Sequence, residues 1–195
     1  MRTTDHKTAK TQHDISELIR RRWSPRAFSD RPIAEEELQA LFEAASWAAS
    51  SYNEQPWQYV YAHRSDEAGF QRLLSCLKPG NQTWAKNAAV LVLSSASTTF
   101  SRNGKTNHHA LHDTGAANAH LLLEATRRDI YGHAMAGFDY DRTVEEFELA
   151  EPVVPVCFLA LGYLGDPEQL EEPLRSSEQK PRQRQPVDSF TQKIQ

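Results

Sequence analysis

Glycine-rich nucleotide loops are missing from this 195-residue chain: it contains no G-x-G-x-x-G, no G-x-x-x-x-G-K-[S/T] and no G-x-S-x-G. Their absence argues against a Rossmann dinucleotide site, a P-loop and a hydrolase nucleophile elbow. Cysteine is scarce too. Cys76 and Cys157 are the only two, far apart and in no C-x-x-C, which fits reduced thiols in a cytoplasmic protein rather than a disulfide framework. The N-terminal stretch MRTTDHKTAKTQHD lacks the apolar core of a secretion signal. The longest apolar run, from Val153 to Leu164 and broken by Gly162, is too short to cross a bilayer. Excess positive charge is lacking as well: the net charge is -4 and the pI about 6.1, so no overall field favours nucleic acid or anionic lipid. No internal repeat and no linker divides the chain. Its length suits one domain with a sizeable core, or one half of an intertwined dimer.

Against this acidic background stands one basic run, RRRWSPRAF, spanning 20–28. Arg20 and Arg21 suit the last turn of a helix, where cations complement the dipole. Arg22, Ser24 and Arg26 lie beyond it at alternate positions, which in extended backbone share one side. Guanidinium groups with a hydroxyl among them match a phosphate dianion, and Arg182 and Arg184 repeat the alternate spacing near the other terminus. On charge alone, a phosphate site and a solvated basic face are equally good readings.

The hydrophobic pattern predicts an α+β fold. Asp14 to Glu17 reads as a helix start, and residues 1–13 as a flexible tail. Helices are expected over 34–48, where Leu38, Leu41, Phe42 and Ala45 share a face, over 66–77 and over 111–128. Strands are expected at 57–63, 88–95 and 153–165, the last apolar enough for burial on both faces. No clean βαβ unit recurs, so a mostly antiparallel sheet is expected. His108, His109, His112 and Asp113 have helical metal-ligand spacing, but a solvated helix start explains them as well, and no metal is assigned.

The stretch SWAASSYNEQPWQYVYA (46–62) leaves a helix through serines, Asn53 and Gln55 into a strand. Such hydroxyls and amides suit either turn chemistry or the edge of a heterocycle. Taken in order, RRWSPRAF, SSYNEQPW, NQTWAKNAAVLVL (81–93), HDTGAANAHLLLEA (112–125), HAMAGFD (133–139), ALGYLGDPE (160–168) and RQRQP (182–186) resemble the FMN-dependent nitroreductases over residues 14–186.

That resemblance implies an α+β sandwich that forms an intertwined homodimer, with residues of about 166–195 wrapping the partner. It implies FMN as cofactor, NADH or NADPH as reductant, and hydride transfer to a nitroaromatic, quinone or similar acceptor. A reductive dehalogenase, a flavin-cleaving enzyme of the same superfamily or a non-catalytic flavin binder is the alternative. By the same resemblance Arg22, Trp23, Ser24 and Arg26 bind the phosphate and ribityl chain, completed by Arg182 and Arg184. Ser50, Ser51 and Asn53 reach the flavin, the serines typically from the other subunit. Asn81 bonds the pyrimidine side, and the Ala136 and Gly137 N–H groups face N5 and O4. No side chain is assigned as an obligatory acid or base. Ala49 stands where the family usually has proline, and 97–109 replaces a longer helical excursion of larger members. The small residues of 115–119, and arginine segments that must meet from both ends of the chain, lead to the expectation that one subunit holds no complete site.

Overall fold

The structure, a computed structural model, describes residues 5–194. Its strands are Trp57–His63 (β1), Val90–Ser97 (β2), Tyr131–Met135 (β3) and Val153–Gly162 (β4). They form one sheet in the order β1-β2-β4-β3, with every neighbouring pair antiparallel. In β2 the unbroken apolar run VLVL means that both faces are covered, because successive side chains point to opposite sides. Leu91 and Leu93 pack with Phe70, Leu73, Trp84 and Phe158 in one core. Val90 and Val92 join Leu38, Leu41, Leu121 and Ile130 in the other.

Each core is closed by helices. Glu35–Ser46 (α2) and Ala110–Arg127 (α5) pack on each other and supply Leu38, Leu41, Leu121 and Ala125 to one face. On the other face Glu67–Cys76 (α3) buries Phe70, Leu73 and Leu74, and Pro79–Ala85 (α4) buries Trp84. The Asp66 side chain caps α3 by accepting from the Gly69 N–H at 3.2 Å. Three short helices, Glu17–Arg21 (α1), Tyr140–Glu146 (α6) and Leu174–Gln179 (α7), complete the set. The α+β architecture, a sheet sandwiched between helices, is the expected one.

The differences have local causes. Helix α1 begins after Ser16 rather than Asp14 and stops at Arg21, because Arg22 is already extended on the approach to Pro25. The sequence reading missed β3: five residues, YGHAM, with a glycine and a histidine, carry no clear period. Pairing with β4 makes it a strand. A Cβ on Gly132 would lie 2.3 Å from Leu122 Cδ2 and 2.8 Å from Leu161 Cδ2, so the close approach of α5 to β3 requires glycine there. Pro79 opens α4, where its missing N–H costs nothing.

Candidate functional site

Strand β3 forms the axis of the site. At its start Trp23 packs edge-on against Tyr131, with ring centroids 6.3 Å apart. Midway, His133 Nδ1 donates to the Pro25 carbonyl at 2.9 Å. The imidazole also lies 4.7 Å from the Trp84 ring, over which the Arg26 guanidinium sits at 5.8 Å. Beyond its end comes the Ala136-Gly137 turn. The Gly137 carbonyl accepts from the Lys78 N–H at 2.9 Å and from the Asn81 side-chain amide at 3.0 Å. A Cβ on Gly137 would lie 2.6 Å from that amide nitrogen, so the contact needs glycine. Among the described residues, the Ala136 and Gly137 N–H groups have no hydrogen-bond partner outside the sheet. Five residues of strand, about 17 Å, separate Tyr131 from Ala136.

The arginines gather at the first end. Arg22 donates to the Ser24 hydroxyl at 3.3 Å. From the other terminus, Arg182 donates to the Arg20 carbonyl at 2.8 Å and the Lys7 carbonyl at 3.1 Å. Burial, then the nearby charge of Arg184, lowers the Arg22 pKa; burial, then Arg22 and Arg184, lowers that of Arg182. Among the described residues none of Arg22, Arg26, Arg182 or Arg184 is paired with a carboxylate. Arg20, Arg21, Arg72 and Arg127 all are. Crowded guanidinium groups without a counter-charge repel one another, an arrangement that favours an anion. Arg182 and Arg184 also line a cavity of about 360 Å³ between residues 9–15 and 182–187.

Three supporting residues escaped the sequence reading of the site. Glu178 is 2% exposed, and its Oε1 accepts from the Arg26 N–H at 2.7 Å and the Ala27 N–H at 3.0 Å. Lys7, within the segment expected to be a flexible tail, is 5% exposed. Its Nζ donates to the Lys180 carbonyl at 2.6 Å and stands 4.8 Å over the Trp23 ring. His133 has its pKa pushed down by burial to about 4. No local pattern marks Lys7 or Glu178, since their partners are more than 150 residues away. Trp23 Nε1 is buried without a partner.

Ser50, Ser51 and Asn53 lie elsewhere. They precede β1 in a turn where Tyr52, Asn53 and Gln55 adopt φ values of 54°, 58° and 52°. Asp113 Oδ2 accepts from the Ser51 N–H at 2.8 Å, and Ser50 Oγ from the Gln55 N–H at 3.0 Å. The start of β1 and the end of β3 are at the same end of the sheet but on opposite edges. Three strand spacings, about 14 Å, separate them. The arginines from the two termini meet within a single chain, whereas the serine loop lies apart from them. His112 Nδ1 contacts Asp113 Oδ1 at 3.0 Å, and among the described residues no group of three or more His, Cys, Asp or Glu could hold a metal.

An α+β sandwich with a basic cluster at one end of an edge strand and a tight N–H turn at the other defines a class of protein, which comparison makes specific. The model of the nitroreductase family matches residues 19–77 and 70–163, and the chain belongs to that family. A solved structure described as an oxidoreductase containing FMN is 33% identical, with a TM-score of 0.90 over 95% of this chain and 94% of that one. A Mycolicibacterium smegmatis protein described only by its 15.4 kDa mass and gene position is 37% identical over 63% of this chain and 80% of its own. A Xanthomonas oryzae protein with the provisional name NADH dehydrogenase/NAD(P)H nitroreductase is 25% identical over 78% and 86% of the two chains.

Proposed function

We propose that the chain is an FMN-dependent oxidoreductase that uses NADH or NADPH to reduce a small acceptor of the nitroaromatic or quinone class. The observation that carries this reading is the distribution of charge along β3. Among the described residues, guanidinium groups from both termini without a carboxylate partner gather beside its start, and the Ala136-Gly137 turn follows its end. The residues present fit FMN: Arg22, Ser24, Arg26, Arg182 and Arg184 would hold the phosphate, and Asn81 and the Ala136-Gly137 turn would meet the ring.

FMN bound there would supply the redox chemistry that links the reductant to the acceptor. The chain provides placement and electrostatics. Fixed N–H dipoles at Ala136 and Gly137 stabilise negative charge that develops beside them, without reorganising at that moment. Asn81, tied to the Gly137 carbonyl, holds the turn in shape. With both hydride donor and acceptor using one exposed face, no separate Rossmann site is needed. The reductant is supported by the names of several similar proteins, which include NAD(P)H nitroreductase.

The working unit in this proposal is a homodimer. Trp47, Tyr52 and Leu111 are 80%, 73% and 55% exposed, and Gly115 leaves open space beside Leu111 on α5. Pairing this surface would bury it and carry Ser50, Ser51 and Asn53 to the partner's flavin. The exposed segment 187–194 is the part of the C-terminal extension left to wrap a partner. The proposal places the protein in the cytoplasm; among the described residues no helix is long and apolar enough to cross a membrane.

The purified protein should be yellow and release FMN, identified by mass, and should oxidise NADH or NADPH when a quinone or nitroaromatic is supplied. A colourless protein that also fails to bind added FMN would overturn the proposal.

A further inference from the structure

We propose that Glu178 is a positioning residue for anion binding, its buried carboxylate setting the backbone that aims Arg22, Ser24 and Arg26; this rests on the FMN reading above. A carboxylate withdrawn from water is costly unless hydrogen bonds and opposite charge compensate. Glu178 is 2% exposed and meets this demand with main-chain donors, the Arg26 and Ala27 N–H groups at 2.7 and 3.0 Å. The charge of Lys7 acts on it from nearby, and Lys7 itself is tied to the Lys180 carbonyl.

The direction of the carboxylate is informative. Guanidinium groups are close at hand, yet Glu178 pairs with none of them. An acidic residue present to neutralise the cluster would take an arginine as partner. Glu178 instead leaves the guanidinium groups free for an external anion and fixes only the backbone between them.

The segment it fixes has no regular structure of its own. Past Arg22, whose N–H still donates to the Leu18 carbonyl at 2.8 Å, the main chain up to the Phe28 bridge to Leu164 is anchored by distant residues. The Pro25 carbonyl accepts from His133, the Arg26 and Ala27 N–H groups donate to Glu178, and the Ala27 carbonyl accepts from the Gly165 N–H at 2.9 Å. Glu178 also lies four residues before Arg182, so one contact sets the N-terminal arginine segment against the C-terminal one. Without it, the guanidinium groups would stay near one another but lose the fixed geometry that bidentate binding needs.

The test compares Glu178→Asp, Glu178→Gln and Glu178→Ala by titrating the apo-protein with FMN and with riboflavin, followed by flavin fluorescence. Aspartate, one methylene shorter, withdraws the acceptor from both N–H groups, whereas glutamine keeps a carbonyl oxygen in place. Glu178→Asp and Glu178→Ala should weaken FMN at least ten-fold, about 1.4 kcal/mol, and riboflavin less than two-fold. Glu178→Gln should recover most of the FMN affinity. Hydrogen exchange in the apo-protein should show the Arg26 and Ala27 amides losing protection in the aspartate variant and keeping it in the glutamine variant. If alanine prevents folding, the other two variants decide. Parallel losses for FMN and riboflavin, or wild-type FMN affinity in Glu178→Asp, would overturn this inference alone. Failure of the wild-type protein to bind FMN would overturn the proposed function and this inference with it.

Discussion

At the scale of single residues, the two C-terminal arginines are not equivalent. Arg182 satisfies two main-chain carbonyls, whereas Arg184 is exposed and bonds only the neighbouring Gln183 carbonyl at 2.7 Å. Arg184→Ala should therefore weaken FMN and leave the melting temperature of the apo-protein unchanged. Arg182→Ala should weaken FMN and also destabilise the apo-protein by about 1–3 kcal/mol, because the Lys7 carbonyl loses this donor and the Arg20 carbonyl keeps only the Ala9 N–H. If Arg26 makes two charge-assisted bonds to the phosphate, at about 1.5–3 kcal/mol each, Arg26→Ala removes roughly two to four decades of FMN affinity. Riboflavin should barely respond to any of these changes, and Arg20→Ala, paired with Glu17, should affect neither ligand. Fluorescence titration and thermal melts separate these outcomes. His133 makes a different prediction. Burial holds its folded pKa at about 4, below the ordinary imidazole value of about 6.5. Above about pH 6.5 both folded and unfolded states are neutral, and the full stability is present. As pH falls from there toward 4 the unfolded chain takes up a proton that the folded one refuses, at a cost of roughly 3 kcal/mol. His133→Gln, which keeps a donor for Pro25, should flatten that part of the urea-measured stability curve relative to wild type.

At the scale of elements, β3 connects the core to the site. Gly132 faces Leu122 and Leu161, both buried, so Gly132→Ala forces two packed leucines aside. Overpacking of this kind costs about 1–3 kcal/mol, and a displaced β3 would carry His133 and the Ala136-Gly137 turn with it. Lower thermal stability together with weaker binding of riboflavin, which reports on the ring end, is the expected pair of effects. The 50–55 turn depends on a similar device. Asp113, 4% exposed, offers its carboxylate to the Ser51 N–H and so helps hold three non-glycine residues at positive φ. Buried carboxylates on α5 and α7 thus fix two loops proposed to meet the flavin.

For the whole molecule, the proposed site is complete only in a dimer. The arginine cluster and the Ala136-Gly137 turn lie along one edge strand, while Ser50, Ser51 and Asn53 stand beyond the other. Leu111→Glu would place a charge on the exposed α5 surface without disturbing the core. Sedimentation of this variant should show a shift toward monomer, with FMN lost in parallel. A monomer that retains flavin would refute the dimeric arrangement.

The sequence by itself determined the class of fold and much of the site's chemistry. The VLVL run specified a strand buried on both faces, and Leu38, Leu41 and Ala45 specified the buried face of α2. Alternating arginines and serine beyond the end of α1 left a phosphate site and a solvated face equally open, whereas the ordered motifs of the family were legible because each is a local stretch of chain. Tertiary structure decided the rest. YGHAM became a strand only by pairing with β4. Lys7 left its apparent tail to pack over Trp23. Glu178, one glutamate in a polar stretch, became the anchor of a loop 151 and 152 residues away. Such roles depend on burial and on partners far along the chain, and neither is present in a local pattern of residues.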